Sequence, residues 1–186
     1  MTTLLIALVL GTQSAYSPSG PPIVVSMESG NSFTITTDPK RSPKTVAHVL
    51  GLVDRKFYDR QRIHRVEHWV TQWGDPGSRT VEPFLVKGDD GKPALNPKLG
   101  DGDSGKQLPF EMSDIDFHRG VVGVASEGLQ LGGDSQLFVI KQDRFYLWHS
   151  YAVVGKVTQG MEVVDAIKRG DRIRSMRRRK IDRSAD

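Results

Sequence analysis

FYDRQRIHRVEHWVTQWGDP, residues 57–76, is the stretch around which the rest of the chain is organised. At its centre Arg65 lies in a run suited to an extended strand. Strand side chains alternate between faces with a period of two, so Ile63, Arg65 and Glu67 are expected on one face and His64, Val66 and His68 on the other. Phe57, Tyr58, Val66, Trp69 and Val70 surround Arg65 in sequence. An arginine in that apolar company is not an ordinary solvated charge. Its guanidinium stays protonated at any ordinary pH and holds five donors in a planar fork, which suits aiming hydrogen bonds at one fixed point. Two readings stand here: an arginine that ties loops together, and one that points into a pocket.

The 186 residues are expected to form one main domain. With 37% apolar and 26% charged residues the composition is that of a soluble globular protein, and 19 Gly with 10 Pro indicate many turns between short strands. There is no cysteine, which excludes a disulfide, a thiolate metal site and a cysteine nucleophile. The net charge of +4 is unevenly spread. Residues 168–186 hold nine Lys or Arg against three Asp, a net of +6, which leaves the remaining chain at −2. No aromatic residue interleaves with those arginines, so a base-stacking surface is not indicated and no nucleic acid is expected as a partner. A solvated charge run is the commoner role for such a segment.

Leu4–Leu10 is an apolar run of seven residues. Spanning a bilayer takes about 20, whereas seven is the length of a signal-peptide apolar region. Export to the periplasm or medium is the favoured expectation, with residues 1–21 as signal peptide and Pro/Ser-rich linker. No Lys or Arg precedes the run and no clean A-x-A follows it, so a cytoplasmic protein with a short buried strand or a misplaced start is the alternative. Ile23–Ser26 and Ser32–Thr37 are β-branched and alternating, with a Glu-Ser-Gly-Asn turn between them, and read as a hairpin. Ser42 reads as an N-cap and Pro43 as the first helical residue. Val46, Val49, Leu50 and Val53 then recur at helical spacing over 43–55.

From Gly77 to Gln107 the chain is rich in Gly, Asp, Lys and Pro and reads as a long surface excursion, of a length that is often functional. Asp89-Asp90-Gly91 and Asp101-Gly102-Asp103 lack the spacing and terminal Glu of a calcium loop and read as turns. His64 and His68 flank Glu67 without the HExxH order, so no metal is expected. Strands return over 118–125, 135–140 and 151–157, and Gly160–Ile167 carries Val163, Val164 and Ile167 at helical spacing. The fold class expected is mainly β: a closed or nearly closed barrel with helices over its ends.

Six motifs occur in one order: F-Y-x-x-x-x-I-H-R-V from Phe57, Q-W-G-D-P from Gln72, F-H-R-G-V-V-G-V-A from Phe117, G-D-S-Q-L-F-V-I from Gly133, Y-A-V-V-G-K-V from Tyr151 and G-M-E-V-V-D-A-I from Gly160. Together they resemble the cyclophilin family of peptidyl-prolyl cis/trans isomerases, particularly its bacterial branch. The resemblance covers roughly residues 22–177, taken as the isomerase domain, with 178–186 as a basic tail. It implies an eight-stranded antiparallel barrel capped by two helices, a proline site on the barrel's outer face, isomerisation of X-Pro bonds that assists folding, proline-containing polypeptides as partners and no cofactor. A monomer is expected, and the alternative reading is a cyclophilin-like binding module or chaperone that holds proline-containing segments with little turnover.

Carried across residue by residue, the resemblance implies Arg65 and Gln72 as catalytic. It implies Phe138 as the aromatic floor of the proline pocket, Leu147 as its wall and Gln136 beside it. Ala125 and Ser126 stand where the family pairs its backbone with substrate. Trp69 and Val70 replace a Phe and a Met in a segment one residue shorter than the common pattern and lacking its Pro-Gly. Tyr151 stands for the usual pocket histidine, Tyr146 for a tryptophan linked with cyclosporin binding, and Trp148 and His149 for a common Asp-Gly.

Overall fold

A computed structural model describes residues 16–179. The apolar run of residues 4–10 and the last part of the basic tail lie outside them. The elements run β1 (Pro22–Met27), β2 (Ser32–Thr37), α1 (Pro43–Asp54), β3 (Arg65–Val66), β4 (Val70–Trp73), β5 (Leu85–Lys87), β6 (Pro93–Leu95), β7 (Val121–Val124), β8 (Leu137–Ile140), β9 (Val153–Gln159), α2 (Met161–Ala166) and β10 (Ile173–Arg178). Eight strands form one antiparallel sheet in the order β10-β1-β2-β9-β7-β8-β4-β3. The expected hairpin, both expected helices and the three expected later strands are all present, shifted by a few residues at their ends.

The sheet is curled, with an apolar cluster on each face. The larger cluster takes Ile23, Val25 and Phe33 from the first hairpin, Trp73 from β4, Leu137 and Val139 from β8, the apolar side of α1 and Val164 of α2. The smaller takes Val70, Phe138, Ile140 and Val153, the neighbours in sequence of residues that point inward, together with Ile115, Phe117, Val121 and Leu147. Period-two alternation along β4, β8 and β9 therefore builds two apolar surfaces at once. The smaller one carries the site.

Five features differ from the sequence expectations. First, the barrel is not sealed by a ladder. β3 and β10 are the two ends of the sheet, and a single bridge between Arg62 and Arg172 joins the segments beside them. Second, alternation fails at Ile63. That residue is fully buried in the larger core, with Val66 packed against it, whereas Arg65 is partly exposed and pairs with Gln72. The chain changes partner here, from the segment at Arg172 to β4, and the switch breaks the face assignment.

Third, Ser42 starts α1 but its side chain makes no capping bond. The Glu111 carboxylate does so instead, accepting from Lys44 N at 3.0 Å and Thr45 N at 2.7 Å, so the donors left open in the first helical turn are met from a distant loop. Fourth, much of the basic segment is structural. Ile173–Arg178 pairs with β1 along its length, and Arg177 and Arg178 bond Asp59 and Asp54. The excursion is also more ordered than expected, containing a 3-10 turn at Pro76–Arg79 and the β5–β6 hairpin. The buried Arg62 anchors its start through the carbonyls of Ser78 and Val81 and the Glu82 carboxylate.

Candidate active site

Four strands set the central row of the site. Arg65 of β3 lies opposite Gln72 of β4, Gln72 opposite Phe138 of β8, and Phe138 opposite Gly123 of β7. These four residues form one row across the sheet, all directed away from the larger core. Arg65 donates through Nη1 to Gln72 Oε1 at 3.3 Å and through Nε to Glu67 Oε1 at 2.7 Å. Gln72 Nε2 donates in turn to Gln136 Oε1 at 2.8 Å, and Gln136 Nε2 to the carbonyls of Gly100 and Gly102. The hydrogen bond from Arg65, ahead of its charge, holds the Glu67 carboxyl below the usual carboxylate range.

The far end of this relay is set by Asp75, which is 1% exposed. Its carboxylate accepts from Gly77 N and from Gly100 N, each at 2.7 Å, so the close of the excursion is folded back onto the Q-W-G-D-P motif. Gly102 comes so near that a Cβ there would lie 2.2 Å from Asp75 Oδ1. Gly74, at φ +123°, lets the same turn press against Ser135, whose carbonyl oxygen would be 2.3 Å from an added Cβ. Both glycines have steric reasons to be there. Asp134, also buried, accepts from His48 at 2.6 Å and from the Ser104 hydroxyl and the Lys106 amide. Burial pushes its carboxyl upward, but the bonds from Ser104, His48 and the backbone outweigh that and leave it lowered.

The apolar half is a cup. The Phe138 ring stacks on Phe117 at 5.8 Å and meets Tyr151 edge-on at 5.3 Å. Val70 and Leu147 belong to the same cluster, and Trp69, Ala125 and Tyr151 pack against it. Leu147 is carried by a 3-10 turn at Phe145–Leu147, with Tyr146 and Trp148 exposed to either side. The Ala125 amide bonds the Gln136 carbonyl, and Ser126 folds its hydroxyl onto the carbonyl of Gly128. Beside them a cavity of about 290 Å³ is lined by Gln72, Ala125, Ser126 and Gln136 together with the excursion around Asp101. All ten residues selected from the sequence thus lie on one face, around the row from Arg65 to Phe138.

This arrangement can grip an apolar ring and present a cationic donor next to it. A family model described as cyclophilin type peptidyl-prolyl cis-trans isomerase/CLD matches residues 23–183. The chain belongs to that family. A probable peptidyl-prolyl cis-trans isomerase of Brucella abortus is 32% identical over 168 residues, covering 89% of this chain and 81% of the relative. Peptidyl-prolyl cis-trans isomerase B of Bacillus subtilis is 28% identical over 154 residues, covering 81% of this chain and 93% of that protein. Among solved structures, a Cryptosporidium parvum cyclophilin superposes with a TM-score of 0.69 at 17% identity, covering 87% of this chain and 98% of its own. At that identity the likeness shows the fold. The family and its named members make the activity of this cyclophilin peptidyl-prolyl cis-trans isomerisation.

Six contributors lie outside the residues selected from the sequence. Phe117, the first residue of the F-H-R-G motif, stacks on Phe138, and Ile115 joins the same cluster; their spacing of two is the available signal. Alternation puts Glu67 on the face of Arg65, and the structure adds that its carboxylate accepts from Arg65 Nε. The carbonyls of Gly100 and Gly102, folded inward by the Asp75 carboxylate of the Q-W-G-D-P motif, carry no local signal of a site.

Proposed function

We propose that this cyclophilin accelerates rotation about X-Pro bonds by offering the Arg65 guanidinium to the proline nitrogen while the ring sits against Phe138, Leu147, Tyr151 and Val70. Amide resonance puts the barrier at about 18–20 kcal/mol. In the twisted transition state the nitrogen becomes pyramidal and recovers a lone pair. A donor placed there binds the transition state better than either planar isomer, which is the condition for catalysis. No proton is transferred and no nucleophile is needed. The observation that carries this reading is the position of Arg65, fixed by hydrogen bonds at the edge of an aromatic cup.

A charge-assisted hydrogen bond of about 1.5–3 kcal/mol corresponds to roughly one to two powers of ten in rate. Immobilising the ring on one side of the bond, and the preceding chain at Gln72 and the backbone near Ser126 on the other, supplies further acceleration. A relative from Cryptosporidium parvum was solved in the presence of the dipeptide Ala-Pro, which supports a proline-containing ligand class. The test is a protease-free isomerisation assay on an X-Pro peptide. Arg65→Ala is expected to keep the fold and lower kcat about 10- to 100-fold; unchanged turnover overturns the assignment.

Two finer readings go with it. We infer that the sheet behaves as a closed barrel, supported by backbone bonds on both sides of the Arg62–Arg172 bridge, from Arg60 N to Ile173 O and from Gly170 N to Ile63 O. Amide exchange at Arg60, Ile63 and Gly170 as slow as in β1 is the expected result. Export is the reading of the apolar run near the N-terminus, and N-terminal sequencing of the mature protein tests it.

A further inference from the structure

The hairpin joining β3 to β4 is tight. Val66 pairs with Thr71, the Glu67 amide bonds the Val70 carbonyl at 2.9 Å, and only His68 and Trp69 remain as its loop. The Lys141 amide fastens that loop to the end of β8 through the Trp69 carbonyl, at 2.7 Å. A two-residue connection leaves the flanking residues little freedom of register. Two side chains are thereby delivered to Arg65: the Glu67 carboxylate at 2.7 Å from Nε, and the Trp69 ring, whose centroid is 5.3 Å from the guanidinium carbon. The same ring also carries Arg144, at 5.1 Å, and Arg144 is bonded to His68.

We propose that Glu67 is a positioning residue for Arg65, its carboxylate fixing Nε while Gln72 holds Nη1, so that the guanidinium plane is set and the Nη2 end is directed to substrate. The proposal rests on the isomerase reading above. Among the described residues Nη2 makes no hydrogen bond, while the two bonds that do form lie on different nitrogens. One acceptor leaves a guanidinium free to swing about its contact. Two acceptors on different nitrogens, with an aromatic face alongside, determine both its place and its plane.

The shortened segment after Arg65 is what makes this possible. An acidic side chain two residues on in a strand returns to the arginine's own face, and the tight turn keeps it there. The carboxylate also withdraws part of the cation's charge, so its value lies in orientation rather than in electrostatic strength. Arg65 and Glu67 are 41% and 38% exposed, which makes the pair a weak contributor to global stability. An effect on turnover is therefore separable from an effect on folding.

The experiment compares wild type, Glu67→Ala and Glu67→Gln in the same X-Pro assay, with thermal unfolding as the control. Glu67→Ala is expected to lower kcat about tenfold, or about 1.4 kcal/mol in the barrier, with KM little changed and the unfolding midpoint near wild type. Glu67→Gln retains the acceptor oxygen and is expected to recover most of the loss. Full kcat in Glu67→Ala, or equal losses in both variants, overturns the proposal. Should the wild-type chain fail to isomerise the peptide, the activity reading is at fault. The Arg65 Nε–H resonance in labelled protein still decides the clamp: a wild-type shift persisting in Glu67→Ala refutes it.

Discussion

Replacing Gly123 by alanine tests whether the floor of the proposed proline cup depends on the absence of one methyl group. Gly123 faces Phe138 across the β7–β8 pair, and an added Cβ would lie 2.5 Å from Phe138 Cζ, 2.8 Å from Cε1 and 3.1 Å from Cε2. Ordinary carbon contacts are about 3.5–4.0 Å, so the ring must move by roughly an ångström. Phe117 stacks on it and Tyr151 abuts its edge, so it cannot slide within the cluster without displacing one of them. Overpacking of this kind costs about 1–3 kcal/mol, and the ring's remaining escape is into the space proposed above for the proline ring. Urea unfolding should therefore show a loss in that range, and the isomerisation assay a raised KM. Stability within about 0.5 kcal/mol of wild type together with an unaltered KM would show that the ring is not seated on Gly123.

The same substitution at Gly51, inside α1, should have the opposite sign: the nearest atom to an added Cβ is Arg55 Nη1 at 3.5 Å, and the gain in helix propensity is about 0.8–1.0 kcal/mol, read by urea unfolding. Removing the substitute helix cap with Glu111→Ala should cost about 1 kcal/mol, measured the same way. His64 is 4% exposed, and its burial, reinforced by the charge of Arg65 and opposed by Asp75 and Gln136, lowers its pKa to about 4. An unfolded histidine takes up its proton near pH 6.5, so between there and pH 4 the unfolded chain binds a proton the folded chain refuses. Stability should fall with pH across that window by up to about 3 kcal/mol, and His64→Gln should flatten the dependence when unfolding is followed at several pH values.

The first hairpin, α1 and the later strands were legible because their apolar residues repeat at two or near 3.6. β10 was not, and the reason is local. Met27 pairs with Ile173 but Ser26 with Ser175, so Arg174 is an extra residue in a bulge. The two buried side chains, Ile173 and Met176, are thereby three apart, a spacing that the strand period of two does not describe. The arginines between and beyond them then read as a solvated tail. At Ile63 the failure had another cause, a change of strand partner, which period-two reasoning cannot see.

The site divides in the same way. Arg65, Gln72 and Phe138 were named through family resemblance, and register then explains their meeting, since they occupy one row across β3, β4 and β8. The relay beyond Gln136 was illegible because it depends on main-chain carbonyls of Gly100 and Gly102, which carry no residue type, held by a carboxylate 25 positions away in sequence. The bond from Arg65 to Glu67 lies within reach of the alternation rule, which puts both side chains on one face.

β10 also bears on how the chain comes to be folded during synthesis. β1 can pair with β2 as soon as the hairpin leaves the ribosome, but its other flank is completed only by Ile173–Arg178, about 150 residues later. At roughly 5–20 residues per second, that flank stays open for about 8–30 seconds, with Ile23 and Val25, wholly buried in the finished sheet, lacking part of their cover. An open strand of this kind is a template for pairing with other chains. A prolyl isomerase thus carries its own interval of exposure, set by the distance along the chain between the two strands that meet last.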